Sequence, residues 1–197
     1  MSKDALIIVD VQNDFCLGGS LPVPNGDKVV EPLNRMIGKA AKKDGGLIIA
    51  SRDWHPRETN HFAEFGGRWP VHCVQGTKGA EFHPGLLLPA DKAIIVSKGM
   101  AKDEDAYSAF QGSAVLTTAD DITTVTMYLR DILGGCGVDT LYIGGLATDY
   151  CVKATALDAR RFGYEVYLLI DACRGVAAET TSDALIEMAR AGVKFIL

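Results

Sequence analysis

TLYIGGLATDYCVKATALDARRFGYEVYLLI, residues Thr140 to Ile170, holds a complete structural unit. Thr140 to Gly144 is a short apolar run, Tyr150 to Phe162 carries apolar residues at helical spacing, Gly163 ends that period, and Glu165 to Ile170 is a second apolar run. Continuous apolar runs rich in β-branched residues suit strands covered on both faces, whereas half-exposed strands alternate apolar with polar. Strand, helix and strand in that order read as a βαβ crossover between parallel strands.

Four further runs extend the pattern: Ala5 to Val9, Leu47 to Ser51, Ala93 to Ser97 and Val193 to Leu197. Helical periods lie at Lys28 to Lys43, Thr123 to Leu133 and Thr181 to Ala191, ending near Gly45, Gly134 and Gly192. The expected fold class is α/β, a three-layer α/β/α arrangement with a six-stranded parallel sheet, formed by a single domain over residues 1–197. Two stretches interrupt the alternation, Gly18 to Gly26 and Asp53 to Pro89, and the second is too long for an idle connection.

A chain of 197 residues suits one domain that buries roughly 70% of its unfolded surface. Its 48% hydrophobic and 23% charged residues are ordinary for a globular protein. A net charge of -5 with scattered signs offers no basic patch, so neither nucleic acid nor a membrane is expected as partner, and a small molecule is. No apolar run reaches the length of a membrane span, and Asp4 comes too early for a signal peptide, so the expected compartment is the cytoplasm. Homo-oligomerisation stays open. The five cysteines, Cys16, Cys73, Cys136, Cys151 and Cys173, are odd in number and lack a C-x-x-C pair, which argues against a disulfide framework or thiolate zinc site.

Ligands of open α/β sheets bind beyond the carboxyl ends of the strands. Just past the first four expected strands stand Asp10, Asp53, Lys98 and the turn that leads to Cys151. Each of these alone is commonly a solvated residue. Together they bring two acids, a base and a thiol to one rim. Cys151 near a helix start, with Lys98 close by, is expected to have a lowered thiol pKa. Asp10 is the candidate proton carrier, and N–H groups at the helix start are candidate oxyanion donors.

All four histidines, His55, His61, His72 and His83, fall in the long loop. Pro56 pushes His55 towards an extended backbone, which puts Asp53 and His55 on one face. One more imidazole, from His61 or His72, completes a two-His-one-carboxylate set suited to zinc, iron or manganese. Phe62, Phe65, Gly66, Gly67 and Trp69 suggest an apolar wall beside that ion.

The segments ALIIVDVQNDFCLGGSL (Ala5 to Leu21), RDWHP (Arg52 to Pro56), WPVHCVQGTKGAEFHP (Trp69 to Pro84), SKGM followed by AYSAF, and GGLATDYCVKATALDA (Gly144 to Ala159) run through most of the chain. In this order they resemble the nicotinamidase and pyrazinamidase group of the isochorismatase-like cysteine hydrolases. The resemblance implies hydrolysis of nicotinamide to nicotinate and ammonia, with pyrazinamide as a further substrate, through a Cys thioester. It implies a triad on Asp10, Lys98 and Cys151, and a cis peptide between Leu146 and Ala147 that makes the Ala147 N–H an oxyanion donor. One divalent metal ion, zinc first and iron or manganese as alternatives, would take Asp53, His55 and His72, with His61 as the additional histidine. Phe15, Leu21, Trp69 and Tyr107 match positions lining the ring pocket. An amidase for another small amide or carbamoyl compound is the alternative within the same fold.

Overall fold

The computed structural model describes residues 3–117 and 123–197. Its strands are β1 (Asp4–Val9), β2 (Leu47–Asp53), β3 (Ala93–Lys98), β4 (Ser113–Thr117), β5 (Thr124–Tyr128), β6 (Thr140–Leu146), β7 (Glu165–Arg174) and β8 (Lys194–Ile196). They form one sheet in the order β5-β4-β3-β2-β1-β6-β7-β8. Its helices are α1 (Val30–Lys42), α2 (Leu129–Gly135), α3 (Lys153–Arg161) and α4 (Ala178–Arg190).

The six expected apolar runs are all strands, and all six are parallel. Among the described residues the sheet nevertheless has eight strands, because β4 and β5 add an antiparallel edge next to β3. This corrects the six-stranded expectation and also the helix expected from Thr123 to Leu133, whose first half is β5 and whose second half is α2. The cause lies in Thr124-Val-Thr-Met-Tyr128, a β-branched and aromatic run whose alternation suits a half-exposed edge strand. Met127 and Leu116 of the hairpin pack on the core, while Thr124 and Thr126 stay exposed.

Both faces of the sheet are covered. Along β1, Ala5, Ile7 and Val9 join the core that includes Leu133 of α2, Ala156 of α3 and Met188 of α4. Leu6 and Ile8 point the other way, into the core made with Leu33 and Ile37 of α1. Part of this second layer comes from the long loop, which sends Cys73, Ala80 and Leu86 into the same cluster. Gln12 pins that loop to the sheet. Its Oε1 accepts the Asp53 N–H at 2.8 Å, and its Nε2 donates to the carbonyls of Asp53 at 2.8 Å and Ala80 at 2.9 Å.

The parallel strands wind outward in two directions from β1 and β6, so the topology reverses between those two strands. A crevice opens at such a point beyond the carboxyl ends. Gly145 lets the two strands approach there: its φ is 131°, and a Cβ would lie 2.1 Å from the Val9 carbonyl oxygen. The register pairs Val9 with both Ser51 and Gly145, and Asp53 with Lys98. Strand ends from four elements thus finish at one level.

Burial on both faces makes a direct prediction. Ile7→Ala and Ile8→Ala, on opposite sides of β1 and both fully buried, are each expected to cost about 2–5 kcal/mol in urea unfolding. A near-neutral effect for either would mean that its face of the sheet is not covered.

Candidate active site

Lys98 closes β3, has no exposed surface and stands at the centre of the crevice. Its Nζ lies 3.0 Å from Asp10 Oδ2, donates to Asp53 Oδ1, donates to the Ala106 carbonyl at 3.1 Å and reaches Cys151 Sγ at 3.5 Å. A buried ammonium is costly unless paired and hydrogen-bonded on several sides. Burial opposes the Lys98 charge, but Asp10 and Asp53 outweigh it and hold the ammonium well above its ordinary range.

Asp10 follows β1 in the left-handed region, φ 48°, a conformation tolerated by Asp more than by most residues. Its Oδ1 accepts the Ser51 hydroxyl at 2.7 Å. Burial raises the Asp10 carboxyl above the usual range, against the pull of Lys98. Asp53 goes the other way: despite its burial, Lys98 and then His55 hold it well below the carboxylate norm. One oxygen from each carboxylate and the Cys151 sulfur lie within 4.8 Å of one another.

Cys151 sits on a π-helical turn, Thr148–Val152, that precedes α3, so the helix expected from Tyr150 starts in an altered form. The N–H groups of Tyr150 and Val152 both bond the Ala147 carbonyl, at 3.0 and 3.1 Å. The peptide between Leu146 and Ala147 is cis. Asp149 ties the turn to α4, accepting the N–H groups of Val176 at 3.0 Å and Ala177 at 3.3 Å and the Thr180 hydroxyl at 2.5 Å. The thiol differs from expectation. Burial pushes Cys151 well above its ordinary range, Lys98 pulling it down but Asp10 and Asp53 pushing it further up. A thiol held protonated at rest needs a base at the moment of attack.

Beyond Asp53 stand three buried histidines. His55, His61 and His72 each offer a ring nitrogen within 4.8 Å of the other two. In each ring Nδ1 is already engaged: with the Gly99 carbonyl at 3.0 Å for His55, the Pro70 carbonyl at 2.7 Å for His72, and Asp105 Oδ1 at 2.6 Å for His61. A carbonyl only accepts, so Nδ1 of His55 and His72 must carry the hydrogen, and Nε2 presents its lone pair. Nε2 of His55 and His72 lie 3.7 and 3.9 Å from Asp53 Oδ2. The buried Nε2 of His55 has no hydrogen-bond partner among the described residues. An orphaned nitrogen, two convergent imidazoles and a carboxylate oxygen fit a divalent zinc, iron or manganese ion.

His61 and His72 both join the cluster. His83 does not: its Nδ1 accepts the Gly85 N–H at 3.1 Å. Of the expected apolar wall, Phe62 is fully buried against the edges of His55 and His72, Trp69 stacks on His61 at 6.4 Å, and Phe65 lies 40% exposed.

Between triad and histidines lies a cavity of about 60 Å³, lined by Phe15, Leu21, Trp69, Tyr107, Ala147 and Cys151 among others. That is space for roughly four or five water molecules, the scale of one six-membered ring bearing a carboxamide. Trp69 Nε1 donates to Tyr107 Oη at 2.9 Å, and Tyr150 meets Trp69 edge-on at 5.1 Å. Tyr150, the residue before the thiol, lines the cavity too, and Ser51, Asp105 and Val176 face the site beyond the residues expected from the sequence. Ser51 was legible as a strand-end hydroxyl beside Asp53, and Tyr150 as the neighbour of the thiol. Asp105 and Val176 sit on loops and gave no signal of their own.

Known proteins resemble the chain along its whole length. The chain is 41% identical to a nicotinamidase of Escherichia coli, over 98% of this chain and 93% of that protein. It superposes on a pyrazinamidase of Pyrococcus horikoshii in complex with zinc with a TM-score of 0.86 and 48% identity, covering 98% of each chain. PnC1 of L. infantum in complex with nicotinate gives a TM-score of 0.84 at 34% identity, covering 99% of this chain and 92% of that one. The family model of the isochorismatase domain matches residues 4–197, a span that takes in every strand and every residue around the crevice, and the chain belongs to that family.

Proposed function

We propose that the chain is a nicotinamidase, hydrolysing nicotinamide to nicotinate and ammonia, and pyrazinamide by the same route, as one cysteine hydrolase domain over residues 1–197. The observation that carries this reading is the buried Lys98, within reach of Asp10, Asp53 and Cys151, the last two of which line a small cavity with aromatic walls. The similarity to a nicotinamidase, a pyrazinamidase and a nicotinate-bound relative supports it.

In the proposed reaction the ring enters between Phe15 and Trp69, which directs the carboxamide to Cys151. Orientation of this kind contributes several kcal/mol to the rate, on the order of 10⁵ M or more in effective concentration. Asp10, with its raised pKa, takes the thiol proton as sulfur attacks the amide carbon. Lys98 stabilises the sulfur anion as it forms, and the N–H groups of Ala147 and Cys151 receive the oxyanion. Asp10 then passes its proton to the amide nitrogen, the C–N bond breaks and ammonia leaves a thioester. Asp10 next takes a proton from the incoming water, which displaces the thiolate, and returns it to Cys151 as nicotinate departs.

Asp53, His55, His72 and His61 would hold one divalent metal ion, zinc in the first place and iron or manganese as alternatives. Bound there, the ion supplies a Lewis-acidic anchor for the ring nitrogen of the substrate. Asp53 can serve both sites, with Oδ1 towards Lys98 and Oδ2 towards the histidines. Burial pushes His72 down to about 4, against the Pro70 carbonyl, so the ring is neutral at neutral pH, as a ligand must be. The expected setting is the cytoplasm; among the described residues no helix is long and apolar enough to cross a membrane.

Cys151→Ala is expected to abolish ammonia release from nicotinamide while the ligand still binds in calorimetry; residual turnover within about tenfold of wild type would remove the nucleophile assignment. Asp10→Asn should remain folded and lose roughly 10²–10⁴-fold in kcat, because its geometry survives and proton transfer does not. A third expectation concerns pH. In the unfolded chain His72 takes up a proton below pH 6.5, while in the folded chain it stays neutral down to about 4. The unfolded state therefore binds more protons in that window, and the chelator-treated protein should lose stability as pH falls from 6.5 to 4, by on the order of 3 kcal/mol from this group. Thermal unfolding across that range should show a shallower pH slope for His72→Gln, and an unchanged slope would refute the assignment.

A further inference from the structure

Among the three clustered histidines, His61 alone is held by a side chain. The Nδ1 atoms of His55 and His72 bond backbone carbonyls, whereas His61 Nδ1 lies 2.6 Å from Asp105 Oδ1. The His61 ring is buried and the Asp105 carboxylate is more than half exposed, so the acid reaches inward from the surface. The backbone around His61 is fixed independently of this contact. The Asn60 N–H and the Thr59 hydroxyl both donate to the Lys102 carbonyl, at 2.8 and 2.9 Å, and the His61 N–H donates to the Thr59 hydroxyl oxygen at 3.2 Å. Loss of Asp105 would therefore free the ring and leave the chain in place.

The segment that carries Asp105 also touches the rest of the site. The Gly99 carbonyl orients His55, the Ala106 carbonyl accepts from Lys98 Nζ, and Tyr107 accepts from Trp69. Asp105 lies next to the carbonyl that holds Lys98, one residue along the chain.

We propose that Asp105 is a positioning residue that makes His61 a metal ligand: its carboxylate accepts the Nδ1–H of His61, fixes the tautomer and turns Nε2 towards His55 and His72. A carboxylate behind an imidazole also raises the basicity of the ligating nitrogen, and loss of such a partner commonly weakens metal binding 10–100-fold. The proposal rests on the metal reading above. It differs from a merely structural role for Asp105, which would hold the loop without depending on His61.

The test is a zinc competition titration of the full-length chain, stripped with a chelator, against a colorimetric chelator of known affinity. Asp105→Ala is expected to weaken zinc binding roughly 10–100-fold, and Asp105→Asn, which keeps an acceptor oxygen, to recover most of the loss. In a His61→Ala background, Asp105→Ala should change zinc affinity by less than about twofold, because the ligand through which it acts is gone. Circular dichroism and thermal unfolding of each stripped variant verify that it is folded. Wild-type protein that binds zinc while Asp105→Ala binds it equally well overturns this proposal alone. A loss of the same size with and without His61 also overturns it, since Asp105 would then act on the loop. Wild-type protein that binds no zinc overturns the metal reading and this proposal together.

Discussion

An ammonium with no exposed surface, held within reach of two carboxylates and a sulfur, is the constraint on which the remaining structure depends. Removing one partner from such a group costs about 3–5 kcal/mol, because the charge left behind stays out of water. Lys98 therefore needs Asp10 and Asp53 as much as they need it, and all three sit at the ends of adjacent strands in fixed register. Parallel pairing brings them to one level, since the carboxyl ends of parallel strands share one edge of the sheet. The approach of β6 at Gly145, which no larger residue could make, brings the thiol to the same place.

Asp53 joins two chemistries that would otherwise be separate. One oxygen faces the ammonium and the other faces the histidines, so a cation held at the imidazole cluster would share a single carboxylate with the charge on Lys98. Gln12 holds Asp53 by its backbone N–H and carbonyl and leaves its side chain free for both tasks. The long loop, anchored by the same amide at Ala80, is thereby tied to the sheet it must serve. In the proposed reaction the cavity between the two centres takes ring and carboxamide at once.

The electrostatics of the cleft favour proton transfer coupled to attack. Burial raises both Asp10 and Cys151, so neither is ionised as freely as in water. In the proposed reaction, an Asp10 of raised pKa next to a protonated thiol is a better-matched base than an ordinary carboxylate would be. Position at a helix start and a nearby lysine pointed towards a thiolate, but the local dipole and one cation do not outweigh full desolvation with two carboxylates close by. Ser51, donating to Asp10, limits how far the acid rises.

Six parallel strands, the four strand-end residues Asp10, Asp53, Lys98 and Cys151, and the gathering of histidines in one loop were legible in the sequence, because apolar runs, strand ends and residue types are local properties. The resemblance added the pocket residues Phe15, Leu21, Trp69 and Tyr107, all of which line the cavity. The antiparallel hairpin was not legible, since Thr124 to Tyr128 serves as edge strand or amphipathic helix according to what lies beside it, and pairing with β4 made the choice. Nor could spacing decide between His61 and His72, which are brought together by a loop whose path is set by Gln12 and by backbone carbonyls far apart in the chain. Residue order alone dictates which groups the site contains and the sheet edge they reach. Tertiary structure decided how deeply they are buried, which nitrogen of each histidine is free, and hence the protonation of the thiol, because desolvation and hydrogen-bond partners depend on neighbours that only folding supplies.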